Sequence, residues 1–220
     1  MQKSRQVGDL IACGFLVAII LYLTFQSTQF SSLTASHPYL MGFVKFGLLA
    51  PFGRLLAGRL FKSRRWEISK LIIPQALLWG LTGMWITAAF SLVSSGTTGL
   101  MTAGLWPQTT GFGLALSRSV WINLLGGYGF FMMFVHEVAE RSVCGRLTGK
   151  PFSVSEIVLT LARENWFVPI FLTVIFFWIP AHTVTFMLPR AWQVLFAASL
   201  SVVLGMIKAV IAKPQGRTAG

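Results

Sequence analysis

The chain has 220 residues, 55% of them hydrophobic and only 11% charged, with a mean hydropathy of +0.70. Water-soluble domains carry about 25% charged residues, so a soluble fold is excluded and an all-α, polytopic transmembrane helix bundle is expected. The 18 Lys and Arg outnumber the 6 Asp and Glu, for a net charge of +12. In a membrane protein that excess belongs to loops facing anionic lipid heads, and these loops lack the aromatic–basic interleaving that nucleic-acid binding uses.

Lys3 and Arg5 precede the first apolar run, residues 10–25, which reads as a retained first span with its N-terminus inside. Residues 27–38 are rich in Ser and Thr without fixed charge, and predict a short outside loop. The second span, 39–61, contains Lys45, Arg54 and Arg59. Arg59 can extend its head to the inner boundary. Lys45 and Arg54 lie deeper, where a charge needs a partner or a wet cavity. Their spacing puts them on opposite faces of a straight helix, which Pro51 is expected to kink. Lys62, Arg64, Arg65 and Lys70 then mark an inside loop.

No charge occurs from residue 71 to 117. Residues 71–93 predict the third span and 94–117 the longest outside loop, with residues 100–106 open as a re-entrant helix or plain loop. The fourth span, 119–138, holds Asn123, Gly126, Gly127 and Gly129 and runs into His136 and Glu137. Residues 140–164 predict an inside loop. The chain closes on a hairpin, 165–212, whose corner at 178–189 is aromatic and ends in proline. Its second arm carries a small-residue stripe, Ala197, Ser201, Gly205 and Ala209, read either as a contact inside the bundle or as a face for another subunit. Six spans with both termini on the cytoplasmic side satisfy the charge bias most simply. The organisation is then residues 1–36 as anchor and outside loop, 37–212 as the main bundle, and 213–220 as a basic tail.

Few residues suggest chemistry. Arg54 and Glu137 fall at similar depth toward the inside, and predict a buried ion pair, serving structure or a proton or anion path. With Lys45, Asn123 and His136 they make a candidate polar pathway. His136-Glu137-x-x-Glu140 lacks the second His of a zinc protease motif. His37 and His182 fall near the outer boundary, where they read as interfacial histidines rather than haem ligands. Cys13 and Cys144, at different depths, suggest neither a disulfide nor a zinc site. No nucleophile-elbow, Walker or Rossmann pattern is present, so neither enzyme activity nor a cofactor is expected.

The closing hairpin, with Trp178, His182, Thr185-Phe186, Pro189 and Gln193 followed by VLF, resembles that of the Mpv-seventeen / peroxisomal membrane protein (PMP-twenty-two) family. In the family a Gln stands at the place of His182, an Asn at Thr185 and an Arg at Gln193. The stretch HPYLMGFVKFGLLAPFGRLLAGRL is similar to the family's first helix, with Arg54 where the family has Asp, and WGLTGMWITAAF is similar to its second. The resemblance covers about residues 37–212 and leaves the first span extra. It implies a small multi-span protein like those of mitochondrial inner and peroxisomal membranes and their bacterial relatives, non-enzymatic, with a small-solute or anion permeability role; a bacterial cytoplasmic membrane is the expected location. The alternative is a structural or accessory subunit of a larger membrane complex. Expected partners are anionic lipid heads and a homo-oligomer or larger assembly.

Overall fold

The computed structural model describes residues 2–61, 66 and 69–211, and among them every regular element is helical. Helix α1 is Gln2–Phe25 and α2 is Ser27–Ser36. The outside loop expected at 27–38 is thus a helix. Its polar residues do not break it, because Ser36 Oγ donates to the Ser32 carbonyl of its own helix at 3.0 Å, while Phe30 and Thr34 face inward and are buried. Helix α3, Pro38–Phe61, begins with proline at its first position, where the missing N–H costs nothing, and carries Pro51 inside.

Helix α4, Ile72–Thr102, has 31 residues, longer than a ~30 Å hydrocarbon layer requires at about 1.5 Å per residue. The outside loop expected from residue 94 is therefore helical through its first third. Thr97, Thr98 and Thr102 each donate their hydroxyl to the carbonyl one turn back, at 2.7 to 3.0 Å, so a Thr-rich composition did not mean loop. Helix α5, Gly111–Val120, runs into a π-helical turn, Trp121–Leu125. Gly127, at φ +63°, then redirects the chain, and α6, Tyr128–Leu147, leaves at a bend of 49°. The fourth span expected at 119–138 is instead this longer, broken pair.

The loop expected at 140–164 contains the end of α6 and all of α7, Val154–Arg163. Ser153 starts α7 with a capping box, its hydroxyl accepting from the Glu156 N–H at 3.2 Å while Glu156 accepts from the Ser153 N–H at 2.7 Å. These bonds hold the Glu156 carboxyl below its usual pKa. Helices α8, Phe167–Thr173, and α9, Ile179–Met187, are joined by a second π-helical turn, Val174–Trp178. The expected corner at 178–189 is thus mostly helix interior, and the chain reverses only at Leu188 and Pro189 before α10, Arg190–Ile211.

Three helical stretches, Pro38–Leu60, Ile72–Thr102 and Phe167–Met187, are long and apolar enough to cross a membrane, and the bent pair α5–α6 adds a fourth if counted as one. Shorter apolar helices cover Val7–Ile19 and Arg190–Val203.

Helix α3 lies between α4 and α10 at glycine contacts. Gly83 of α4 meets the Gly42 carbonyl of α3 so closely that a Cβ there would overlap it, and a Cβ on Gly53 would lie 2.6 Å from Val202 Cα of α10. Such approach is how helices gain packing energy where lipid is as apolar as their own side chains. The buried interior includes Phe46, Ile86, Phe90, Ile122, Met132, Met133, Val174, Trp178 and Phe186. Leu81, Leu92 and Phe176 point outward, as a lipid-facing surface requires.

Candidate functional site

The two π-helical turns pack against each other in the middle of the bundle. Such turns insert one residue into a helix and often mark functional positions. The first carries Asn123 and the second ends on Trp178. Asn123 is 1% exposed and its amide nitrogen donates to the Ser119 carbonyl at 2.9 Å. Ser119 in turn donates its hydroxyl to the Ile179 carbonyl at 2.6 Å, which ties α5 to the start of α9. The Asn123 amide lies against His182 Nδ1, with Nδ2 at 2.9 Å and Oδ1 at 3.1 Å. An amide can thus serve the ring in either tautomer. Phe90 meets the His182 ring edge-on at 5.5 Å and Trp178 lies 5.2 Å from it.

Beside this pair is a cavity of about 20 Å³, enough for roughly one water molecule. Asn123, His182, Tyr128 and Trp178 stand in its wall with Phe46, Trp79, Phe90, Met132 and Met133, and the surface they present to it is almost entirely apolar. The Tyr128 hydroxyl and the Trp178 Nε1 are sealed from solvent without a hydrogen-bond partner. Gly129 also lines the cavity, and a Cβ there would lie 2.7 Å from Asn123 Oδ1, so glycine is what lets the amide reach His182.

On the far side of Trp79 lies a second polar cluster. Trp79 packs on the His136 ring at 3.9 Å. His136 is buried, its Nδ1 is 3.1 Å from Thr82 Oγ1, and its Nε2 is 3.6 Å from Glu140 Oε2. Thr82 has one hydroxyl proton, and the Leu78 carbonyl is also within reach at 2.9 Å. Glu140 Oε1 accepts from Arg54 at 2.8 Å and from Gln75 at 3.0 Å.

The expected Arg54–Glu137 pair is therefore corrected to Arg54–Glu140. Residue 140 is one helical turn from His136 and shares its face, whereas 137 is turned about 100° away. Glu137 instead holds Arg141 at 2.8 Å, and Arg141 also reaches Glu164 at 2.8 Å. Nor is Arg54 buried, since its side chain is 63% exposed. A double-mutant cycle on Arg54 and Glu140 is expected to give a coupling of about 1 kcal/mol or less, as for a partly exposed pair. The same cycle on Arg54 and Glu137 should give under ~0.3 kcal/mol.

Lys45 is 5% exposed and stands apart from both clusters. It donates to Thr34 Oγ1 at 3.0 Å and to the Ala191 carbonyl at 3.3 Å, with Nζ 4.4 Å from the Phe30 ring centre. Two of these partners come from α2, the helix read as a loop. The five candidate pathway residues thus separate into Lys45 alone, Asn123 with His182, His136 with Arg54 through Glu140, and Glu137 with Arg141.

Of the hairpin residues, Trp178, His182, Thr185, Phe186 and Gln193 are buried, not interfacial. Thr185 donates to Ala181 O at 2.9 Å, and Gln193 to Leu188 O at 3.0 Å across the turn at Pro189. His37 is exposed while His182 is enclosed, so the two do not share an environment. Ala197 and Ser201 line the central cavity, which makes this half of the small-residue stripe an internal contact; the side chains of Gly205 and Ala209 lie outside the described residues. Cys13 is exposed and Cys144 partly buried, both free. Among the described residues no group of three or more His, Cys, Asp or Glu is placed to hold a metal ion.

Sequence reasoning missed Ser119, Tyr128, Trp79, Thr82, Gln75 and Glu140. The one available clue was spacing: Ser119 and Asn123, and His136 and Glu140, are each four apart and so share a helix face.

Fold and site define an all-helical protein with three to four helices able to cross a membrane, built around a buried Asn–His pair. No family model, curated protein or solved structure matches the chain.

Proposed function

We propose that this chain is a non-enzymatic membrane protein of six spans, with both termini on the cytoplasmic side of a bacterial inner membrane. We propose further that it forms a small-solute pathway of the kind the Mpv-seventeen resemblance implies. The observation that carries this reading is the Asn123–His182 pair with its cavity, connected through Trp79 to His136, Glu140 and Arg54. Polar and ionisable side chains inside hydrocarbon are costly and characteristically line routes for solutes or protons. Helix α1 and helix α10 bring the four candidate crossings to six, and the Lys and Arg of the intervening segments then fall mostly on one face.

The anion version has less support. Arg54 is matched by Glu140, and Lys45 is engaged by α2 and the start of α10. The accessory-subunit reading loses part of its basis too, since Ala197 and Ser201 turn inward.

Two measurements test the proposal. Single-cysteine labelling in vesicles should place residues 62–70 and 141–163 on the same face; opposite faces end the topology. Purified protein in liposomes should raise small-solute flux above that of empty liposomes. Absence of flux, together with co-purification of a fixed partner, assigns the chain to a larger complex instead.

A further inference from the structure

The two ends of the bundle differ in how their charges are matched, and that difference stands apart from the pathway reading. We infer that Arg118 and Arg190 together form a site for a phosphate-type anion, at the end of the bundle opposite the Arg54–Glu140 cluster.

Helix α4 gives the placement. Near its start Gln75 donates to Glu140 at 3.0 Å, and near its end Thr98 accepts from Arg118 Nη2 at 3.4 Å. At about 1.5 Å per residue these contacts lie roughly 34 Å apart, more than the ~30 Å of a hydrocarbon layer. Arg190 opens α10 just after the reversal at Pro189, and comes close enough to Arg118 for the two charges to repel. Behind it the Lys45 ammonium donates to the Ala191 carbonyl at 3.3 Å. Three cations thus gather at one end, and among the described residues no carboxylate pairs with any of them.

Arg118 is held there. Its Nε is sealed from solvent with no acceptor. The Thr98 hydroxyl gives its own proton to the Ser94 carbonyl at 3.0 Å, so towards Arg118 it can only accept. The rest of the Arg118 fork and the exposed Arg190 guanidinium make no hydrogen bond among the described residues. Like charges held together in a partly dry setting are unfavourable, and an anion between them reverses the sign of the interaction. Two planar forks suit a group with several oxygens on one centre better than a monatomic ion. Trp106 and Trp121 pack at 5.4 Å beside this site, and Trp106 Nε1 donates to Ser117, the neighbour of Arg118, at 3.1 Å. Such rings favour the boundary between lipid and water. A phosphate can reach that depth as an anionic phospholipid head or as the free ion, and both offer the same oxygens.

The test is isothermal titration of the purified full-length protein in maltoside micelles with two probes, inorganic phosphate and a short-chain phosphatidylglycerol. Saturable binding of at least one is expected, weakened at least tenfold by Arg118→Gln and by Arg190→Gln with helicity unchanged. Arg146→Gln, an exposed base at the other end of the bundle, is the control and should change the affinity less than twofold. Binding of phosphatidylglycerol alone assigns the site to a lipid head, and of phosphate alone to a soluble anion; binding of both shows that the phosphate group itself is recognised. Should Arg118→Gln fail to fold, the exposed Arg190 decides alone. The inference is overturned if neither probe binds, if binding ignores the glutamine substitutions, or if Arg146→Gln weakens it as much. Flux measurements judge the pathway separately, so either reading can fail without the other.

Discussion

Gly83→Leu is expected to be the most damaging exchange at the α3–α4 contact, destabilising the bundle by about 3 kcal/mol or more. The Cβ alone would overlap the Gly42 carbonyl and lie 2.8 Å from Phe46 Cβ. Neither can retreat: one is backbone of a packed helix, and Phe46 is 2% exposed in the core. In lipid the loss is not offset by burying more apolar surface, because leucine gains nothing by leaving hydrocarbon for protein. The helices must separate along their length, which also opens the Phe46 wall of the cavity. Gly96, on the same helix, is the control. It is exposed and an added Cβ would meet nothing within 4 Å, so Gly96→Ala should be neutral or stabilise by up to about 1 kcal/mol. Unfolding in mixed micelles, followed by tryptophan fluorescence, measures both. Equal losses at the two sites would mean that α3 and α4 do not meet at Gly42 and Gly83.

The second large effect concerns Asn123. Asn123→Leu is expected to cost about 2–3 kcal/mol, most of it from the ring nitrogen of His182 left buried with no partner. His182→Leu should cost a similar amount for the reciprocal reason. The double replacement should recover most of the loss, because exchanging both members of a buried polar pair for apolar groups is nearly neutral. This coupling, read from a double-mutant cycle, separates two roles. A pair retained for packing alone predicts a double variant that is both stable and fully active in flux. A pair that lines a pathway predicts a stable double variant with flux lost. Additive losses, with no recovery, would show that the two side chains do not contact each other.

Much of the architecture was legible beforehand. The apolar runs at 39–61, 71–93 and 165 onward became α3, most of α4, and the α8–α9 stretch, because hydropathy is a sum over neighbours and needs no knowledge of packing. Lys45 and Arg54 did fall on opposite sides of α3, one buried and one exposed, since that follows from helical phase alone. The errors came from composition. Ser- and Thr-rich segments at 27–36 and 94–102 looked like water-exposed loops, yet their hydroxyls bond to carbonyls of their own helices. Within the Gly cluster of the expected fourth span, Gly129 permits close packing against Asn123, whereas Gly127 serves as the hinge between α5 and α6.

By itself the sequence determined that this chain is helical and apolar enough to enter a membrane, roughly where its long helices lie, and which few polar side chains needed an explanation. Partner choice was decided only in three dimensions. Glu140 rather than Glu137 takes Arg54, and His182 leaves the boundary for Asn123, because a π-helical turn, a 49° bend and glycine contacts set the rotation of each helix. A shift of one residue turns a side chain by about 100°, and the added residue of a π turn leaves no trace in composition.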